Sequence, residues 1–99
     1  MKTKTNKQNK PKWFHGAWYK TGDIVTNPFS GEMYELTGPE LSMYDFIKGA
    51  EYTLSIHDRD IFDDSGIQDP SMVKLQNDMI KALDWFRSAN ATAYMTLLD

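Results

Sequence analysis

The residues best equipped for chemistry lie in one stretch, 57–69, where His57 is followed by Asp58, Asp60, Asp63, Asp64 and Asp69. Hard cations such as calcium or magnesium need several oxygen donors converging on one point, and a histidine with neighbouring aspartates offers zinc a mixed nitrogen and oxygen set. The spacing does not fit a calcium loop. Counted from Asp60, Phe62 takes the third ligand position, Gly66 falls one place late for the sharp turn, and Ser71 replaces the closing glutamate. His15 and His57 are the only histidines; His15 sits in an aromatic run, and a histidine in the last turn of a helix is favoured by the dipole without any metal. The stretch is therefore expected to be a solvated acidic loop between two helices. Metal binding at His57, Asp58, Asp60, Asp63 and Asp64 is the alternative, and no cofactor is expected.

Other routes to catalysis lack their residues. There is no cysteine, no Gly-x-Ser-x-Gly elbow and no glycine-rich loop long enough to cradle a phosphate. Fourteen acids in a small chain place carboxylates near one another by chance, so carboxylate pairs alone assign no role. No catalytic residue and no enzymatic activity are expected. Without disulfides or thiolate metal sites, core packing or association must stabilise the fold.

The net charge of −3 conceals a division. Lys2, Lys4, Lys7, Lys10, Lys12 and Lys20 give the first twenty residues +6, and the first acid is Asp23; residues 21–99 hold five bases against all fourteen acids, hence −9. Residues 1–12 contain no aromatic or branched apolar side chain, so ordering them would cost backbone entropy with little burial in return. They are expected to be a disordered basic arm, and residues 13–99 a single small domain. Such an arm beside Trp13 and Trp18 pairs phosphate contacts with stacking surfaces, which makes Lys2, Lys4, Lys7, Lys10, Lys12, Trp13 and Trp18 the candidates for weak nucleic-acid binding. A −9 body repels the phosphate backbone that the arm attracts, so nucleic acid is not the favoured partner. No apolar run reaches the roughly 18 residues needed to span a bilayer, and no signal-peptide core is evident, so no membrane contact is expected.

The elements follow from pattern. Residues 13–19, Trp-Phe-His-Gly-Ala-Trp-Tyr, are too apolar to stay in water and are expected to dock on the core. Residues 23–26 and 33–36 flank Asn27-Pro28-Phe29-Ser30-Gly31-Glu32, a turn-rich hexapeptide, and predict a hairpin whose Ile24, Phe29, Tyr34 and Leu36 lean on helices. Pro39 suits the first helical position, Glu40 complements the positive helix end, and Met43, Phe46, Ile47, Ala50 and Leu54 recur on one face, predicting a helix over 39–56. Gly49 beside Ala50 suggests close approach of another backbone. A second helix is predicted over 70–89, with Asp69 as N-cap and Met72, Leu75, Met79, Leu83 and Phe86 as its stripe. Asn90 closes it and caps a third helix over 91–98, whose apolar side is Tyr94, Leu97 and Leu98. The fold class is mainly α: two antiparallel helices, a short C-terminal helix and a small N-terminal β-hairpin.

Two helices of this length carry more apolar face than one small core uses. Trp85 lies about 100° around its helix from Phe86, so it is either a second packing face or an exposed anchor of the kind enriched at interface centres. Trp18, Tyr44, Trp85 and Tyr94 are accordingly the candidate interaction residues, and a homodimer or higher homo-oligomer is the expected state.

Five segments carry a family likeness: Asn27-Pro28-Phe29-Ser30-Gly31; Glu35-Leu36; Ser42-x-Tyr44-Asp45-x-Ile47-Lys48-Gly49; Lys81-Ala82-Leu83-Asp84-Trp85-Phe86; and Ala93-Tyr94-x-x-Leu97-Leu98-Asp99. Over residues 24–99 the chain resembles small uncharacterised proteins encoded by tailed phages of marine cyanobacteria. The resemblance implies a viral protein located in the cytoplasm of an infected bacterial host or in the virion, with another phage or host protein as a further possible partner. It supplies no catalytic or binding residue, and the lysine arm lies outside it. The expected function is protein–protein interaction in a structural or accessory role.

Overall fold

Strand-forming residues stand on both sides of the Asn-Pro-Phe-Ser-Gly-Glu turn, and in the computed structural model, which describes residues 9–60 and 70–98, they pair as the expected hairpin. Strand β1 (Asp23–Thr26) runs antiparallel to β2 (Met33–Leu36), with Asp23 opposite Leu36, Ile24 opposite Glu35, Val25 opposite Tyr34 and Thr26 opposite Met33. Gly31 closes the turn at φ 79°, a region open to glycine, and its N–H donates to the Asn27 carbonyl at 2.9 Å. The buried Asn27 side chain holds the rest. Its Oδ1 accepts from the Phe29 and Ser30 N–H groups (2.8 and 3.3 Å), and its Nδ2 donates to the Thr96 carbonyl at 2.9 Å.

Side chains alternate across a strand, so the register decides what each face presents. Val25, Tyr34 and Leu36 turn toward the helices, whereas Ile24 and Met33 are left 59% and 66% exposed and Phe29 at the turn is 92% exposed. The expectation that Ile24 and Phe29 lean on helices is thus corrected: with Leu36 and Tyr34 inward, the inward residue of β1 is Val25, Tyr34's cross-strand partner.

Helix α1 spans Gly38–Asp60. Thr37 Oγ1 accepts from the Glu40 N–H (3.2 Å) while Glu40 Oε1 accepts from the Thr37 N–H (3.0 Å), a reciprocal capping box. Gly38 therefore opens the helix and Pro39 stands second, still inside the turn whose N–H groups have no intrahelical acceptor. Met43, Ile47 and Ala50 are buried, with Phe46 and Leu54 half-buried beside them. Gly49 instead lies on the exposed side, with nothing near the place its Cβ would occupy, so no backbone approaches it. The helix also continues past Ile56 and takes residues 57–60 out of the expected loop. Asp63, Asp64 and the proposed Asp69 cap lie outside the described residues.

Helix α2 (Pro70–Ala89) packs antiparallel to α1 and buries Ala82 and Phe86; Met72, Leu75, Met79 and Leu83 are half-buried. Helix α3 (Ala91–Leu97) starts from Asn90, whose Oδ1 accepts from the Ala93 N–H at 3.1 Å, and buries Ala93 and Leu97. These residues form one core with Leu36, Met43, Tyr44, Ile47 and Phe14.

Phe14 brings the N-terminal aromatic run into that core as expected. Its ring meets Trp13, Trp18 and Phe46 edge-on at 5.9, 5.5 and 5.5 Å, contacts worth about 0.5–1.5 kcal/mol each beyond burial. The Tyr19 N–H donates to Ser42 Oγ at 2.7 Å, and Ser42 Oγ donates to the Gly38 carbonyl at 2.8 Å. Here two backbones cross: a methyl on Gly22 would strike the Leu36 carbonyl, and one on Gly38 would strike the Tyr19 carbonyl.

Candidate functional site

Docking of residues 13–19 beside the end of α2 creates an open cleft of about 1230 Å³ with β2 on its far side. Trp13 lines it from the N-terminal segment, Tyr34, Glu35 and Thr37 from β2 and the residue after it, Glu40 from the first turn of α1, and Lys81, Asp84 and Trp85 from α2. Asn90 lies at the same cleft. It donates from Nδ2 to Glu40 Oε2 (3.2 Å) and accepts at Oδ1 from the Tyr34 hydroxyl (3.3 Å) as well as from the α3 backbone. Glu40, only 3% exposed, is thereby held by hydrogen bonds from α1's own cap and from Asn90. Burying a carboxylate without such partners would cost several kcal/mol, roughly, so this junction is built to hold elements together. Among the described residues every fully buried side-chain nitrogen or oxygen has a hydrogen-bond partner.

Charge pairing elsewhere is peripheral. Lys48 with Glu51, Lys74 with Asp78 and Arg87 with Asp84 are single-helix pairs at 3.2, 2.7 and 2.7 Å, each worth about 0.3–0.5 kcal/mol. More informative is Lys81, whose Nζ stands 5.9 Å from the Trp13 ring centroid, so an ammonium covers one face of the ring at the cleft wall. Tyr19 donates its phenol proton to Asp45 Oδ2 at 2.9 Å; that bond and the carboxylate's charge hold the phenol above its ordinary pKa.

The interaction candidates fall in different places. Trp18 and Trp85 meet edge-on at 6.0 Å, both half-buried, so two residues chosen from separate segments form one aromatic pair beside the cleft. Tyr44 is buried, its ring tilted against Phe86 at 6.4 Å, and belongs to the core. Tyr94 is half-buried on α3 under the Arg87 guanidinium, 5.9 Å from its ring. Of the nucleic-acid candidates, Lys10 and Lys12 are exposed and Trp13 is half-buried, while Lys2, Lys4 and Lys7 lie outside the described residues. Of the metal candidates, His57, Asp58 and Asp60 fall on the last turn of α1 and Asp63 and Asp64 lie outside the described residues; among the described residues no group of three or more potential ligands converges. No helix among them is long and apolar enough to cross a membrane.

Sequence reasoning missed Glu35, Lys81 and Asn90 as cleft residues and Met33 as an exposed apolar residue. One signal was present: Lys81 and Trp85 stand four apart on a predicted helix and so share a face. No family model, curated protein or solved structure matches the chain.

Proposed function

We propose that the protein works by association with copies of itself, as a small protein–protein interaction protein in a structural or accessory role. The resemblance to phage-encoded proteins supports a setting in an infected bacterial host or a virion for that role. One observation carries the reading: the outer face of the hairpin and its turn present Ile24, Met33 and Phe29 to solvent while the inner face is already spent on the core. A two-stranded sheet is marginal in water, and covering its second face with an identical one would bury these three side chains twice over in a closed two-fold arrangement. Exposed aromatic and methionine side chains are the types enriched at such interface centres.

Sedimentation velocity across a wide concentration range tests it. The native chain is expected to move from monomer to dimer mass as concentration rises. A Phe29→Ser, Met33→Ser chain is expected to keep its helical signal and urea midpoint yet remain monomeric. A native chain that stays monomeric throughout would overturn the reading.

A further inference from the structure

A two-stranded sheet has two free edges, and a face-to-face dimer closes only if neither edge recruits a further strand. The edge of β2 looks into the cleft, where Tyr34, Glu35 and Thr37 stand across from Lys81 and Trp85 of α2, and the Thr37 N–H is already spent on Glu40 Oε1. The edge of β1 is the open one, with Asp23, Ile24 and Thr26 all exposed. Its backbone groups can be assigned one by one. The Asn27 N–H donates to the Glu32 carbonyl at 2.8 Å, and ladder bonds in an antiparallel pair fall on alternate residues. Asp23 and Val25 therefore bond toward β2, while the N–H and C=O groups of Ile24 and Thr26 point away from it.

The outward Ile24 N–H is not left open. It donates to Asp23 Oδ1 at 2.7 Å, so the preceding residue's own side chain fills the place an incoming strand would take and sets a negative charge there. Two residues beyond Thr26 stands Pro28, which has no N–H. Of the successive outward places 24, 26 and 28, Thr26 alone offers an open donor among the described residues. We infer that Asp23 guards the β1 edge: its carboxylate occupies the Ile24 donor and presents a charge that an added strand would have to desolvate, so that copies of this chain meet through the outer face of the hairpin and not strand by strand. The limit to two copies rests on the self-association reading; the guarding of the edge does not.

Two full-length variants test it. Asp23→Ala removes the cap and the charge without adding a large apolar side chain. Sedimentation velocity, with infrared detection of intermolecular sheet, is expected to show species larger than the dimer at about one tenth of the protein concentration the native chain needs, a ratio set by one edge hydrogen bond freed in each copy. Adding Thr26→Pro to Asp23→Ala separates edge pairing from loss of fold. The proline deletes the open donor without touching a bond to β2, and this double variant is expected to return to native behaviour with its helical signal intact. An Asp23→Ala chain that sediments like the native one overturns the inference. Growth that Thr26→Pro leaves unchanged overturns it too, because such growth does not run along the β1 edge. A native chain that stays monomeric overturns the self-association reading, while the comparison of Asp23→Ala with the double variant still decides whether the edge is guarded.

Discussion

Asn90 Nδ2 donates to Glu40 Oε2 across 3.2 Å, tying the first turn of α1 to the link between α2 and α3. The same amide accepts at Oδ1 from the Ala93 N–H and from the Tyr34 hydroxyl, so one side chain joins α1, α3 and β2, while the residue's backbone N–H donates to the Phe86 carbonyl of α2 at 2.9 Å. An asparagine suits the place because it is donor and acceptor at once.

Replacing Asn90 by Ala removes the cap of α3 and leaves buried Glu40 one donor short. The expected loss is at least about 2 kcal/mol in urea unfolding, from roughly 1 for the cap and at least 1 for the carboxylate. Asn90→Asp separates the two contributions. It keeps the acceptor for Ala93 but sets a second carboxylate against Glu40, so it should be destabilised at pH 7 and recover relative to the native chain as acid neutralises the pair. A loss below about 0.5 kcal/mol for Asn90→Ala, within the ordinary scatter of surface substitutions, would show that the junction is not structural.

Two glycines should answer alanine with opposite signs. At Gly22 a methyl meets the Leu36 carbonyl, a backbone atom with no rotamer to move, so Gly22→Ala should destabilise by more than about 1 kcal/mol and loosen residues 13–22 from β2. At Gly49 nothing stands within 4 Å and the residue is exposed inside α1, so Gly49→Ala should stabilise by about 0.5–1 kcal/mol through helix propensity and the unfolded chain's lost freedom. Matched urea midpoints for the two variants would refute both placements.

Features with a local cause were legible in the sequence. Pro70 and Asn90 bound their helices because the proline ring and the amide act within a few residues, and the aromatic density of residues 13–19 required burial wherever it went. What was not legible depends on register and on distant partners. Ile24 and Val25 are adjacent strand formers of similar character; only pairing with Tyr34 and Leu36 decides which turns inward, and a one-residue shift would reverse the choice. Gly49 offers no side chain by which a sequence distinguishes a crowded position from an open one. The continuation of α1 through residues 57–60 set four polar residues in a helix where their charge had suggested a loop. The cleft joins residues as distant as Trp13, Glu35 and Trp85, and no spacing rule connects them.

The Tyr19 to Asp45 bond is a pH-sensitive tie between the N-terminal segment and α1. Its cause is first the hydrogen bond to the carboxylate and then the carboxylate's charge, both of which favour the protonated phenol, so the folded pKa lies above the unfolded value of 10.0. With the folded value raised, the contribution to stability is complete below about pH 10 and is lost as pH climbs through the folded pKa. Ultraviolet titration of phenolate absorbance, native chain minus Tyr19→Phe, should isolate one transition with its midpoint above 10.0. Asp45→Asn should bring that midpoint down by removing the charge while keeping a side-chain acceptor. Because Tyr19 also holds its backbone N–H on Ser42, the segment should stay docked in Tyr19→Phe, with the emission of Trp13 and Trp18 unchanged at neutral pH. An unshifted midpoint, or emission already altered at pH 7, would mean that the phenol does not make this bond in solution.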